Sequence, residues 1–159
     1  MKIGVLSDTH LHDANDELPA AVVEQLRGVD MILHAGDITH PSVIDFLETI
    51  APTHAVMGNM DDPHRHGAIP LKKVVEAGAF RIGLIHGWGA PGGIEERVEK
   101  EFDDVHCIVY GHTHYPACHH KNGILFFNPG SPTDRRWAPF RSMGVLHVSD
   151  ELKGEILRV

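Results

Sequence analysis

The sequence predicts an α/β fold built on a mixed sheet, and three observations indicate this class. Six short runs rich in Val, Ile and Leu are each bounded by Gly, Asp, Asn or Pro, as buried strands are. Segments with apolar residues three or four positions apart lie between several of these runs and predict amphipathic helices. The composition, 42% apolar and 23% charged, is typical of globular proteins, so we expect residues 1–159 to form a single domain.

The predicted strands and helices alternate along the chain. Strands are expected over residues 3–6, 31–33, 55–57, 82–85, 107–110 and 124–127. Helices are expected over residues 17–27, 41–50 and 93–104, with Asn15 or Asp16 as the N-cap of the first and Pro41 in the first turn of the second. Residues 71–85 and 143–159 each have the pattern of a hairpin, which would make the sheet mixed.

Charge and cysteine content exclude several classes of protein. A net charge of -8 argues against a general nucleic-acid binder, which needs a basic surface to displace counterions from phosphates. Two cysteines are too few for a disulfide framework or a four-thiolate zinc site. The chain begins without a signal-peptide core and has no apolar run of the ~20 residues that span a bilayer, so we expect a soluble cytoplasmic protein without a membrane partner.

Metal-ligand residue types follow five of the six predicted strands. In open α/β sheets the carboxyl ends of the strands form the ligand-binding crevice, so these groups can converge. The seven candidates are Asp8, His10, Asp37, Asn59, His86, His112 and His114. Most of these fragments alone are more typical of a turn than of a site, and His112-x-His114 is equally typical of both, but five such turns at the ends of buried strands would be a large coincidence.

Two acids, one amide and four imidazoles exceed the needs of a single metal ion, and they fit two ions that share a bridging carboxylate. Zinc, manganese and iron accept mixed nitrogen and oxygen ligands, whereas calcium prefers oxygen alone. Residues two apart in an extended strand point to the same side, so the pair Asp8 and His10 and the pair His112 and His114 could each reach one site.

These motifs together resemble the calcineurin-like metallophosphoesterase superfamily, in order and spacing, from Lys2 to at least Ser131. The motifs are Asp8-x-His10, Gly36-Asp37, Gly58-Asn59-x-Asp61, His86-Gly87 and Gly111-His112-Thr113-His114. The Asn-Pro-Gly-Ser sequence at 128–131 and the small size are similar to the compact prokaryotic phosphodiesterase branch. The resemblance implies an αββα sandwich with a binuclear metal centre at one edge.

The resemblance also implies a ligand set and an activity. One ion would be held by Asp8, His10, Asp37 and His114, and the other by Asp37, Asn59, His86 and His112. Manganese is the expected metal, and iron, zinc and nickel serve in related enzymes. Two such ions clamp the attacking and leaving oxygens, so we expect a metal-bridging hydroxide to hydrolyse a small phosphoester, a diester rather than a monoester. The expected catalytic residues are Asp37, Asn59 and His112, and Asp61 is expected to orient neighbouring groups.

One position departs from the family pattern. Many larger members have a histidine after Gly-Asn that protonates the leaving oxygen, but this chain has Met60, which cannot donate a proton. His12, His40, His64 or a metal-bound water could replace it, or the substrate could have a leaving group that needs no acid. Arg135 and its neighbour Arg136 are candidates for binding a substrate phosphate, with a solvated surface pair as the alternative.

Two other functions compete with hydrolysis. Residues 87–92 match Gly-x-Gly-x-x-Gly after a predicted strand, but the next strand ends in Gly111-His112 rather than in an acid for a ribose, which argues against dinucleotide binding. A scaffold subunit of the eukaryotic retromer coat resembles this family but has altered ligand positions. The alternative is therefore a scaffold module for protein assembly, although all the ligand positions are retained here. An exposed hairpin edge favours a homodimer.

Overall fold

The computed structural model describes residues 1–67 and 69–159, and this part of the chain forms ten strands and four helices. In chain order they are β1 (Lys2–Leu6), α1 (Ala20–Leu26), β2 (Met31–His34), α2 (Ser42–Glu48), β3 (Thr53–Ala55), α3 (Pro63–His66), β4 (Lys72–Ala77), β5 (Phe80–Ile85), α4 (Ile94–Glu99), β6 (Cys107–Val109), β7 (Ala117–Lys121), β8 (Ile124–Asn128), β9 (Ser142–Val148) and β10 (Leu152–Arg158).

The strands form two mixed sheets of five. The first has the order β10-β9-β1-β2-β3, in which β1, β2 and β3 are parallel and the β9–β10 hairpin is antiparallel to β1. The second has the order β4-β5-β6-β8-β7, in which β5, β6 and β8 are parallel and the two edge strands are antiparallel. Each sheet therefore has three parallel strands whose carboxyl ends lie on one side.

Three apolar clusters hold the layers together. The sheets pack face to face through buried residues such as Val5, Leu84 and Phe127. The outer face of the first sheet packs on α1 and α2, and that of the second packs on α4. Neighbouring side chains on a strand point to opposite faces, so Phe126 lies under α4 while Phe127 lies between the sheets. The predicted αββα sandwich is confirmed.

Most predicted elements form, and prolines and backbone bonds explain the shifted boundaries. The first helix begins at Ala20 rather than at residue 17, because Pro19 is extended at its start, and the expected cap Asp16 instead accepts backbone bonds from the loop before it. The third strand is 53–55 rather than 55–57, since the chain turns and Met57 N donates to Pro70 O. The helices 41–50 and 93–104 are shorter than expected.

Two elements carried no apolar signal in the sequence. Strand β7, with the sequence ACHHK, lies at the edge of the second sheet and is largely exposed, so an apolar run was not needed. Helix α3 lies between β3 and β4 and has a single turn. None of the helices in the described part of the chain is long and apolar enough to cross a membrane.

Candidate metal centre

The loops after β1, β2, β3, β5 and β6 bring all seven predicted ligands to one edge of the sandwich. One group consists of Asp8, His10 and His114, whose ligand atoms all lie within 4.8 Å of one another. His114 Nε2 is 3.3 Å from Asp8 Oδ1 and 3.2 Å from His10 Nε2. Residues 104 positions apart in the sequence therefore present three ligand atoms to one point.

A second group lies beside the first. Asp8, Asp37 and His86 also have ligand atoms within 4.8 Å of one another. Asn59 Oδ1 adjoins this group, at 3.2 Å from His86 Nε2 and 3.0 Å from His112 Nδ1. The amide and the two rings converge as the expected ligand set of the second ion requires.

Asp8 is common to both groups. The carboxylate of Asp37, a member of the second group, also faces the first. Its Oδ2 is 3.5 Å from His10 Nε2, and its Oδ1 is 3.4 Å from His86 Nε2. The N–H of Met60 donates to Oδ1 over 2.8 Å and fixes the orientation of the carboxylate. Because each oxygen faces a histidine of a different group, the geometry suits a carboxylate that bridges two ions.

The backbone at five predicted ligands is left-handed, which is rare for residues other than glycine. The φ angles are +53° at Asp8, +44° at His10, +53° at Asp37, +69° at His112 and +60° at His114. Such conformations persist where surrounding structure holds them, and they cluster at functional sites. The expectation that ligands two residues apart share one side of an extended strand is therefore wrong, because tight loops beyond the strand ends aim these side chains.

The glycine before Asn59 has a packing reason. A Cβ on Gly58 would lie 2.1 Å from Asp37 Oδ1 and 2.4 Å from the Asp37 backbone N, far inside contact distance. Only a residue without a side chain lets the loops after β2 and β3 approach so closely. Gly58 thus lets the loop that carries Asn59 lie directly against Asp37.

The ring nitrogens show how the histidines fit metal ions. Nδ1 of His86 is 2.7 Å from Ala35 O, Nδ1 of His114 is 2.5 Å from Asp134 Oδ2, and Nε2 of His112 is 2.8 Å from Gly89 O. These oxygens only accept, so each of these nitrogens carries the proton. When such a ring is neutral, its opposite nitrogen carries the lone pair and faces the candidate site, which is the arrangement typical of metal-bound histidine.

Buried charges shift the titration of the group. Burial would lower the pKa of His114, but Asp8 and Asp134 together raise it to about 9. Burial would likewise lower the pKa of His86, but the hydrogen bond to Asp37 and the negative charge of Asp8 raise it. At His10 burial dominates and lowers the pKa. The raised pKa of His114 favours a positive charge on that ring beside Asp8 and Asp134, and the pKa of His86 is shifted in the same direction.

Asp134 was not among the residues predicted from the sequence. It contacts His114, and its carboxylate accepts the backbone N–H groups of Arg136, Trp137 and Ala138. Burial would raise the pKa of Asp134, but these backbone donors and His114 lower it to about 2. An Asp that opens a loop of this kind is a common turn signal, and only the fold brings it to the histidine.

The predicted orienting residue Asp61 joins two ligand loops. It accepts the N–H of Thr39 at 2.7 Å and the N–H of Gly58 at 2.8 Å, so it connects the loops after β2 and β3. The side chain of His66 lies 3.6 Å from Asp61 Oδ1, and both side chains are fully buried. Within the described part of the chain, neither ring nitrogen of His66 has a hydrogen-bond partner.

The other predicted residues lie at the rim or away from the centre. His12 is exposed, with its ring centre 6.5 Å from that of His10. His40 Nδ1 lies 2.8 Å from Ser42 Oγ and accepts the Ser42 N–H at the start of α2. Both contacts use the same ring nitrogen. His64 and Arg135 are exposed, and Met60 is 55% exposed.

Comparisons of sequence identify the relatives of this chain. The family model described as the calcineurin-like phosphoesterase superfamily domain matches residues 1–151. A protein of Methanothermobacter thermautotrophicus named probable metallophosphoesterase is 42% identical over 165 residues, covering 99% of this chain and 92% of that protein. A protein of the same name from Methanocaldococcus jannaschii is 38% identical over 162 residues, covering 100% of this chain and 82% of that protein.

Comparisons of structure give the same family. A Thermotoga maritima protein superposes with a TM-score of 0.76 at 30% identity, covering 99% of both chains. An archaeal phosphodiesterase superposes with a TM-score of 0.74 at 25% identity, covering 99% of this chain and all of the other. Vps29 of Entamoeba histolytica in complex with Zn²⁺ superposes with a TM-score of 0.77, covering 99% of both chains, but at 24% identity this likeness shows the fold alone.

Replacing Asp134 tests its hold on His114. We expect Asp134→Asn to weaken metal affinity by about 10-fold to 100-fold, because an amide neither carries the charge nor accepts the Nδ1 proton as strongly. Isothermal titration with Mn²⁺ measures the change. Asp150→Asn removes an exposed carboxylate on the far hairpin and should leave the affinity unaltered. Equal affinities of Asp134→Asn and wild type would contradict the role of Asp134.

His34 gives a second prediction, concerning pH and stability. This ring is fully buried, accepts the Gly36 N–H at Nδ1 and donates from Nε2 to Thr9 Oγ1. Burial lowers its pKa from 6.5 to about 4. The unfolded chain binds a proton here below pH 6.5 and the folded chain does not, so the stability from the neutral ring is complete above pH 6.5 and is lost as pH falls toward 4.

We therefore expect the free energy of unfolding, measured with urea in metal-free buffer, to fall more steeply between pH 6.5 and 4 in wild type than in His34→Asn. The difference in slope should approach about 1.4 kcal/mol per pH unit. His120→Asn, at an exposed site, should keep the wild-type slope. Parallel profiles for wild type and His34→Asn would show that the buried ring does not control the acid limb.

Proposed function

The chain belongs to the calcineurin-like phosphoesterase superfamily, and from this premise we propose that it is a phosphodiesterase with a binuclear metal centre. The convergence of four imidazoles, two carboxylates and one amide at one edge carries the proposal. The expected holders of one ion are Asp8, His10, Asp37 and His114, and those of the other are Asp37, Asn59, His86 and His112. When bound, the two ions neutralise phosphoryl oxygens and lower the pKa of the attacking water.

The residues of this chain have separate tasks in that reaction. The Met60 N–H fixes the carboxylate of Asp37, which faces a histidine of each group. Asn59 turns its Oδ1 toward His86 and His112, and its Nδ2 makes no hydrogen bond within the described residues, so its amide is available to a phosphoryl oxygen. Ala35, Gly89 and Asp134 hold the protons of three rings and fix their orientation.

Two observations favour a diester over a monoester. In the described part of the chain no lysine or arginine forms a hydrogen bond or ion pair with any of the seven candidate ligands, and a diester brings one negative charge where a monoester brings up to two. An archaeal phosphodiesterase is similar to the whole chain. The metal is proposed to be manganese, although the mixed nitrogen and oxygen donors suit iron, zinc and nickel as well.

The test is hydrolysis by the purified chain with added Mn²⁺. We expect bis(p-nitrophenyl) phosphate to be cleaved faster than p-nitrophenyl phosphate, and EDTA to abolish both reactions. Asp37→Asn should lower kcat/KM by at least about 100-fold, because it removes the charge shared by both groups. Asp150→Asn is the matched control. A faster monoester reaction would refute diester specificity, and metal binding without any hydrolysis would favour the scaffold alternative.

Met60 gives a further prediction about the leaving group. Its exposed side chain follows Asn59 and offers no proton, so we expect alkyl esters to be cleaved far more slowly than nitrophenyl esters. Met60→His should raise kcat for methyl p-nitrobenzyl phosphate by about 10-fold or more while changing nitrophenyl esters little. Met60→Gln, which is polar without being an acid, should show no such gain. Equal rates for alkyl and nitrophenyl esters in wild type would refute the missing-acid argument.

A further inference from the structure

A cleft of about 420 Å³ opens directly beside the second ligand group. Asn59 and His86 belong both to the cleft wall and to the candidate metal centre. The rest of the wall is mainly apolar and includes Met57, Leu71 and Trp88. Leu71 is 69% exposed and Trp88 44% exposed, an unusual degree of exposure for such side chains next to a polar centre. A group attached to a phosphoryl bound at Asn59 could therefore enter apolar surroundings.

The charged side chains of the cleft neutralise each other. Apart from His86, they are Lys72 and Glu101, and Lys72 Nζ lies 2.8 Å from Glu101 Oε2 and also donates to the Glu101 backbone oxygen. Each charge already has a partner of opposite sign, so a charged group of a ligand would have to compete with this pair. A second phosphate or a carboxylate would lose hydration on entering this cleft without gaining a partner.

The wall formed by Trp88 is held in place by a single arginine. Arg97 on α4 donates to the backbone oxygens of Trp88 at 2.9 Å and Gly92 at 3.1 Å, and also to that of Ala90. The same loop supplies Gly89 O to His112 Nε2. The glycine-rich segment 87–92 thus connects the aromatic wall to a predicted metal ligand. A preorganised wall binds a ligand with less loss of entropy than a mobile one.

We infer that this cleft binds an uncharged aromatic or apolar group of the phosphoester while the phosphoryl group contacts the metal ligands. Trp88 stacks on that group, and the neutral Lys72–Glu101 pair rejects substituents that carry a charge. The inference rests on the proposed function, because the cleft adjoins the centre that would bind the phosphoryl group. It assigns a substrate class, namely esters with an uncharged ring or hydrocarbon group.

The test compares the binding of phosphonates, which are not hydrolysed, to the Mn²⁺-loaded chain. We expect benzylphosphonate to bind about 10-fold more tightly than methylphosphonate in isothermal titration, which is within the range of one aromatic stacking contact. 4-Carboxybenzylphosphonate should lose most of this advantage because its carboxylate finds no partner. Equal affinities for benzyl and methyl compounds, or binding of neither, would overturn the inference, and equal affinities for the two benzyl compounds would overturn its exclusion of charge.

Two variants locate the effect. Trp88→Ala should reduce the benzyl preference to about 2-fold and Trp88→Phe should retain most of it, which separates stacking from loss of the fold. Trp137→Ala removes the other tryptophan, which is 72% exposed in the loop after Asp134, and should leave the preference intact. Loss of the preference in Trp137→Ala but not in Trp88→Ala would overturn the assignment. A chain that keeps the benzyl preference but cleaves no diester would refute the proposed function alone.

Discussion

Two carboxylates buried side by side are the constraint on which the rest of the structure depends. Asp8 is fully buried and Asp37 is 3% exposed, and such charges are stable in a protein only with positive partners and hydrogen bonds. His86 and His114, from loops of the second sheet, face these carboxylates with raised pKa values, and the backbone N–H groups of His112 and Met60 donate to Asp8 and Asp37. The sandwich meets this demand by ending its parallel strands at one edge. A divalent ion there would replace protons as the counter-charge, so metal binding and the stability of this edge are coupled.

The parts of this arrangement that depend on apolar pattern could be predicted from the sequence. Buried parallel strands are continuous apolar runs, so their ends and the ligand types after them were visible. The edge strand β7 and the residue Asp134 were not, because an exposed strand needs no apolar run and a contact between loops leaves no local trace. The left-handed backbone at His10 and His114 was also hidden, since histidine adopts it more often than most residues but still rarely. Tertiary contacts impose that conformation against local preference.

The surroundings of the ligands separate binding from chemistry. The hydrogen bond from His86 to Ala35 O orients the ring without an ion, and the other rings with such an acceptor are oriented in the same way. The position after Asn59 has a thioether instead of an acid, so the Met60 side chain cannot protonate a leaving group. Such a centre suits esters whose leaving group departs without being protonated. The apolar cleft next to Asn59 fits the same substrates, because aryl rings stack well and aryl oxides are good leaving groups.

The left-handed backbone at the candidate ligands determines which substitutions these loops accept without strain. Glycine and asparagine adopt that backbone most easily, whereas alanine or a β-branched residue there adds strain. Exchange of Asp8 or Asp37 for asparagine therefore removes a charge without adding backbone strain to the loop. The backbone conformations that orient Asp8 and Asp37 thus also make asparagine a mild replacement at these two positions.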